Sequence, residues 1–150
     1  MEVKRYTREC IEDVLDFETR LRMEEAFWGW EIDEEYIRKV TASFDDQAFD
    51  QSVSLLAYVD GRIVGRIDST MIASRFDGSK KAYLDWICVI KSSRHKGVAQ
   101  RLLEELRKVL KGMGIDTLIA LTASNEEAQA FYRKVPDSVM RDTGIWIDIK

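Results

Sequence analysis

Apolar positions along the chain switch between two periods, and the switches mark its elements. "VKRYT", residues 3–7, reads as a short strand, and from Glu9 to Arg22 the apolar residues Ile11, Val14, Leu15, Phe17 and Leu21 recur at helical spacing. "AFWGWEI" interrupts that pattern, and Asp33 stands where an N-cap would open a second helix through "EEYIRKVTASF". In "SVSLLAYVDGRIVGRIDSTMIA" two β-rich runs flank Asp60-Gly61, a dipeptide that favours a tight hairpin turn. The loop "SRFDGSKK" leads into a third run, "AYLDWICVI", so the middle of the chain is predicted to be an antiparallel meander. The helical period then returns, with Val98, Leu102, Leu106, Val109 and Met113 on one side and Gly112 and Gly114 ending the element. "IDTLIALTA" follows as an apolar strand. A strand, a helix and a strand in sequence form a right-handed crossover, which places residues 82–90 and 115–123 parallel in one sheet. Ser124 and Glu127 then have capping-box spacing, and Ala128, Phe131, Tyr132 and Val135 line a short helix that Pro136 stops. "GIWIDIK" alternates as a final strand. No internal repeat or linker interrupts the series, so the expected organisation is one α/β domain over residues 1–150, with a mixed, mostly antiparallel central sheet.

Composition narrows the class. A chain of 150 residues can bury roughly two thirds of its unfolded surface in one core, and 45% hydrophobic with 33% charged residues is a globular balance. No apolar run approaches the ~18 residues of a membrane span, and "MEVKRYTREC" lacks the apolar core of a signal peptide. The expectation is a soluble protein of the cytoplasm with no membrane partner. Cys10 and Cys88 form no Cys-x-x-Cys pair, which points to neither a disulfide framework nor a metal site.

Charge is distributed unevenly within a total of −4. Residues 9–50 hold fourteen Asp and Glu against four Arg and Lys, a local −10, whereas residues 91–111 hold seven Arg and Lys against two Glu, a local +5. Such a chain can hold an anion at one place and a cation at another. Nucleic acid is not the expected partner, because the basic stretch is short and carries no interleaved aromatics.

The basic stretch opens with Arg94-His95-Lys96-Gly97-Val98-Ala99. A strand ending at Ile90 and a helix beginning near Lys96 leave several backbone N–H groups free around the turn, where the helix dipole also favours negative charge. Gly97 permits close approach, Ala99 does not obstruct it, and Arg94 and Lys96 add charge. A phosphate fits such a turn. The chain has no Gly-x-x-x-x-Gly-Lys-Ser/Thr, and its Gly112-x-Gly114 follows a helix where a dinucleotide fingerprint follows a strand. A Ser-His-Asp arrangement would need His95, the one histidine, in a loop that faces phosphate.

These residues resemble the pyrophosphate loop of the GNAT superfamily of N-acetyltransferases, Arg/Gln-x-x-Gly-x-Gly/Ala, with Arg94, Gly97 and Ala99 in place. "LDWICV" upstream is similar to that family's Leu-acid-x-x-x-Val strand, and "NEEAQAFYRK" downstream to its Asn-x-x-Ala-x-x-Phe-Tyr-x-Lys helix. The resemblance is close from Tyr83 to Lys134 and follows the element order of nearly the whole chain. It departs after Phe-Tyr-x-Lys, where relatives have a Leu-Gly-Phe type turn and this chain has Val135-Pro136-Asp137-Ser138.

The resemblance implies a GNAT-like sheet whose parallel strand pair splays around the cofactor, with helices on both faces, and acetyl-CoA as that cofactor. It implies cofactor contacts from Arg94, His95, Lys96, Gly97, Val98 and Ala99 at the phosphates. The backbone of Cys88 and Val89, together with Asn125, would meet the pantetheine arm, and the N–H of Val89 would polarise the acetyl carbonyl. Tyr132 would protonate the leaving thiolate, since a phenol stays protonated at neutral pH. An alkylammonium must lose a proton before it attacks, and Asp85 is the candidate base, directly or through water. Asp85 lies four residues before Val89 and is therefore expected on the same strand face.

The acceptor expected is a small cationic amine, held by the acidic first third and by aromatics where the family's first two helices roof the cleft: Phe27, Trp28, Trp30 and Tyr36, with Glu31. A homodimer is compatible with the resemblance. Three alternatives stay open: a non-catalytic acyl-CoA-binding module, a protein N-terminal or lysine acetyltransferase, and a phosphate-binding interaction domain.

Overall fold

A computed structural model of the chain describes residues 1–25, 31–121, 125–141, 147 and 149. The described chain falls into two compact units, Met1–Ile119 and Ala120–Lys150.

In the first unit, β1 (Glu2–Arg5) leads through a short 3-10 turn to α1 (Ile11–Glu24), and α2 (Glu34–Ser43) follows. Asp33 caps α2 as expected, its carboxylate accepting the Tyr36 N–H at 2.7 Å. The strands β2 (Val53–Val59), β3 (Arg62–Ala73) and β4 (Lys80–Val89) then pair antiparallel with each other and with β1. Asp60 and Gly61 turn the β2–β3 hairpin with φ of 50° and 77°, the paired left-handed conformation that matches the twist of the strands on either side. After β4 come α3 (Val98–Gly112) and β5 (Leu118–Ala120), giving the strand order β1-β2-β3-β4-β5. The crossover through α3 makes β4 and β5 the parallel pair of an otherwise antiparallel sheet, and the Ala82 N–H reaches the carbonyl of Thr117 at 2.9 Å. The strand expected over 115–123 is observed at Leu118–Ala120. In the second unit α4 spans Glu126–Arg133. The final strand "GIWIDIK" lies outside the described residues apart from Ile147 and Ile149.

Helices cover both faces of the sheet. Successive strand residues point to opposite sides: Gly65 faces Val98 and Leu102 of α3, while Arg66 reaches Glu18 of α1 at 2.9 Å. On the α3 side Val53, Leu55, Ala57 and Ile67 meet Val98, Leu102, Leu103, Leu106 and Leu110, all buried. The apolar stripe of α3 thus turns toward Leu103 and Leu110, and Met113, expected on it, is exposed. Gly114 at φ 75° ends the helix. The N–H groups of Ile115 and Gly114 bond back to Leu110 and Lys111, both at 3.0 Å, which satisfies carbonyls the helix would otherwise leave open. Among the described residues no helix is long and apolar enough to cross a membrane.

Candidate active site

The turn after β4 is where the sheet meets a helix start. Lys91–Ser93 form one 3-10 turn, Arg94 is extended, and His95 and Gly97 take left-handed backbone conformations at φ 59° and 78°. Gly97 occupies the N-cap position of α3 with no side chain to satisfy the first turn. Among the described residues the N–H groups of Gly97, Val98, Ala99 and Gln100 find no acceptor; the first backbone bond of the helix runs from Arg101 to the Gly97 carbonyl at 3.0 Å. Nothing lies within 4 Å of where a Cβ of Gly97 would stand. Val98 is buried beneath this point and His95 is exposed. Open space in front of unspent donors at the positive end of a helix suits a phosphate group.

The cationic side chains of the turn are used within the protein. Arg94 donates from Nε to the Val89 carbonyl at 3.1 Å and from its guanidinium to Glu25. Lys96 donates to the Ser92 carbonyl at 2.9 Å. Glu24 accepts from both the N–H and the hydroxyl of Ser92, at 2.9 and 3.0 Å. The Ser92 N–H holds the Glu24 carboxyl below its ordinary range.

Residues of β4 differ from the expected alternation at one point. Gly65 stands opposite Val89, Arg66 opposite Cys88, Ile67 opposite Ile87 and Asp68 opposite Trp86, but Ser69 stands opposite Leu84, so Asp85 is an extra residue without a partner on β3. This bulge shifts the parity of the strand. Ile87 and Leu84 share the face of Val89, so the extra residue breaks the spacing of four that was expected to place Asp85 on it; Asp85 is exposed. At the end of the strand the Ile90 N–H goes to Val64 on β3 at 3.0 Å, so the N–H of Val89, one residue earlier, points away from β3. The Cys88 thiol is pushed up to about 12 by burial, which makes this side chain an inert neighbour and leaves its backbone as the useful part.

On α4 the Asn125 side chain caps the helix, accepting the Ala128 N–H at 2.8 Å. The cap expected at Ser124 therefore falls one residue later, and Ser124 itself lies outside the described residues. Tyr132 is half-buried, its ring edge-on to Phe131 with centroids 5.1 Å apart. Its carbonyl accepts the Ser138 hydroxyl at 2.9 Å and the Val135 N–H at 3.1 Å, which closes the chain after the helix.

Of the expected acceptor residues, Phe27, Trp28 and Trp30 lie outside the described residues, and Glu31 is exposed. Tyr36 has another task. Its hydroxyl donates to Glu18 at 2.7 and 2.9 Å, and Glu18 is only 1% exposed. Arg66 completes this cluster, bonded to Glu18 and to Asp68, both at 2.9 Å, with Tyr6 and Trp86 rings 4.9 and 5.6 Å away. Ser54 donates to Asp68 at 2.6 Å. Sequence reasoning missed this group, although Glu18 stands four residues after Val14 and three before Leu21, on the buried stripe of α1.

The model of the "Acetyltransferase (GNAT) family" matches residues 19–135, which spans both compact units. The chain belongs to the GNAT acetyltransferase family. It is an N-acetyltransferase, and acetyl-CoA is the acyl donor of such enzymes. No curated protein matches it by sequence.

Solved structures share the GNAT fold at low identity. An aminoglycoside acetyltransferase, meta-AAC0020, from an uncultured soil metagenomic sample in complex with trehalose is 15% identical, with a TM-score of 0.79 over 99% of this chain and 96% of that one. AAC(6')-Iy in complex with the bisubstrate analog CoA-S-monomethyl-acetylneamine is 16% identical, with a TM-score of 0.77 over 99% and 98%. A ribosomal-protein-alanine N-acetyltransferase from Brucella melitensis biovar Abortus 2308 is 15% identical, with a TM-score of 0.73 over 99% and 100%.

The turn fits the acyl donor of this GNAT chain on its own chemistry. Four unspent N–H donors and a glycine with open space before it can receive a pyrophosphate. The outward N–H of Val89 is the donor that strand-like pairing with pantetheine would use.

Proposed function

We propose that this enzyme transfers the acetyl group of acetyl-CoA to a primary amine of a small cationic acceptor by direct attack in a ternary complex, and that both compact units serve one catalytic domain. The observation that carries the cofactor part is the run of free N–H groups from Gly97 to Gln100 at a left-handed glycine. Bound there, acetyl-CoA would supply the activated thioester. In this reading the N–H groups of residues 97–99 hold its phosphates, with Arg94, His95 and Lys96 around them. The backbone of Cys88 and Val89, with Asn125, holds the pantetheine arm between β4 and β5, and the N–H of Val89 polarises the acetyl carbonyl. Tyr132 gives a proton to the departing thiolate, and Asp85 receives the amine proton directly or through water, a role its exposure permits.

The acceptor class is supported by charge and by likeness. Most of the acidic side chains between residues 9 and 50 remain at the surface of the described chain, where they favour cations, and Trp28, Trp30 and Glu31 are the proposed contacts. Several of the similar structures are aminoglycoside acetyltransferases. The test is thiol release from acetyl-CoA over a panel of aminoglycosides, polyamines and peptides beginning with alanine. Release with the cationic small molecules supports the proposal. Release with the peptide alone replaces the acceptor class, and release with none of these amines, despite acetyl-CoA binding, places the acceptor outside all three classes.

A further inference from the structure

The C-terminal end of α1 carries two carboxylates where physical chemistry disfavours them. Negative charge opposes the dipole at a helix C-terminus. Here it also lies beside the turn proposed to bind the phosphates of acetyl-CoA. A local rule broken twice calls for a compensating gain, and the contacts supply one. Glu24 takes the N–H and hydroxyl of Ser92 at 2.9 and 3.0 Å. Glu25 takes the guanidinium of Arg94, and Arg94 in turn donates to the carbonyl of Val89 at 3.1 Å.

We infer that Glu24 and Glu25 are positioning residues for the cofactor turn, clamping it between the end of α1 and the end of β4. The inference rests on the acetyl-CoA reading and deepens it. The partners are 68 and 69 residues apart in sequence, so the clamp is a tertiary device. Both halves act on the same turn: Glu24 fixes its start at Ser92, and Glu25 fixes Arg94, which holds the residue whose N–H faces away from β3. In a strand the N–H and C=O of one residue point to the same edge. Arg94 on the Val89 carbonyl therefore braces the donor proposed to polarise the acetyl group, and the free N–H groups at Gly97 to Gln100 begin three residues after Arg94 on the same braced segment. With Arg94 paired to Glu25, the backbone rather than side-chain charge is left as the main anion grip. Glu24 and Glu25 act through Ser92 and Arg94.

The sign of a charge-removal effect separates a clamp from mere proximity. Glu25→Ala and Glu25→Gln remove the same negative charge beside a phosphate site, so simple repulsion predicts that both tighten coenzyme A. A clamp predicts the reverse: loosening the turn weakens binding, more in the alanine variant than in the glutamine variant, whose amide oxygen still accepts from Arg94. Calorimetric titration with coenzyme A and with 3′-phosphoadenosine 5′-diphosphate, which carries only the phosphate-bearing half, reads this directly. We expect Glu25→Ala to weaken both ligands by about 3–10-fold, with Glu25→Gln nearer the unmodified protein. Glu24→Ala should weaken both ligands likewise. Tighter binding, or unchanged binding, in the two Glu25 variants overturns the clamp while leaving the cofactor reading in place. Absence of coenzyme A binding in the unmodified protein overturns both.

Discussion

Gly65 of β3 and Val98 at the start of α3 pack so closely that a Cβ on Gly65 would stand 2.9 Å from Cγ1 of Val98, 3.1 Å from Leu102 and 3.2 Å from the Cys88 carbonyl. The missing side chain lets the first turn of the helix lie flat on the sheet, directly behind the N–H groups that face the proposed phosphates. Gly65→Ala should therefore force the helix start outward, at a cost of about 1–3 kcal/mol, and weaken acetyl-CoA together with stability. Thermal unfolding and calorimetry on one preparation check this. An unchanged melting temperature would mean that the contact relaxes freely.

Arg66 binds Glu18 and Asp68 beneath α1, and its Nε lies 2.7 Å from the second Asp68 oxygen, an ion pair out of line for a hydrogen bond. Removing the guanidinium leaves Glu18, a carboxylate that is 1% exposed, with the Tyr36 hydroxyl and a longer ion pair to Arg22 at 3.8 Å. Arg66→Met should cost about 3–5 kcal/mol in urea unfolding, and adding Glu18→Leu should recover part of that loss. Strictly additive costs would show that the two side chains do not share one cluster.

The thiols differ in environment. Burial pushes Cys88 up to about 12, whereas at Cys10 burial is outweighed by hydrogen bonding from Thr7 and Tyr58, which lowers the thiol below its ordinary 9.0. At pH 8 a disulfide reagent should therefore modify Cys10 first and Cys88 only slowly until the chain unfolds. The Cys88 proton is held more tightly folded than unfolded, so its contribution to stability is complete below about pH 9 and is lost as pH rises toward 12. Mass spectrometry of partly modified protein gives the order, and faster reaction at Cys88 would contradict it.

Tyr132→Phe keeps the ring against Phe131 and deletes only the hydroxyl proposed as the proton donor. Turnover should fall by roughly 10²-fold while acetyl-CoA affinity changes little. Near-normal turnover with a lowered melting temperature would make the residue a structural tyrosine.

Local codes were readable in the sequence, and long-range partners were not. Asp60-Gly61 announces its turn because both residues must take positive φ, and Asp33 announces α2 because a carboxylate before a periodic run satisfies free N–H groups. The bulge at Asp85 has no such signature, since "LDWIC" alternates as well with the extra residue as without it; the register appears only once β3 is laid beside β4. Glu18 is one of the fourteen acids of residues 9–50, and nothing in that count sets it apart: apolar periodicity ignores a buried carboxylate, and its partner Arg66 lies 48 residues away. The acid pair at Glu24 and Glu25 was legible as charge but not as a clamp on Ser92 and Arg94.

Whether the turn from Arg94 to Ala99 holds acetyl-CoA is read by calorimetric titration of acetyl-CoA into the unmodified protein and Gly97→Glu. Gly97 stands at φ 78° with nothing within 4 Å of its Cβ position, so the glutamate adds backbone strain of about 1 kcal/mol without a clash and places a carboxylate where the phosphates would arrive. The unmodified protein should bind and the variant should lose at least about tenfold in affinity, with the helical circular dichroism signal retained. Equal affinity in the two folded proteins would contradict binding at this turn.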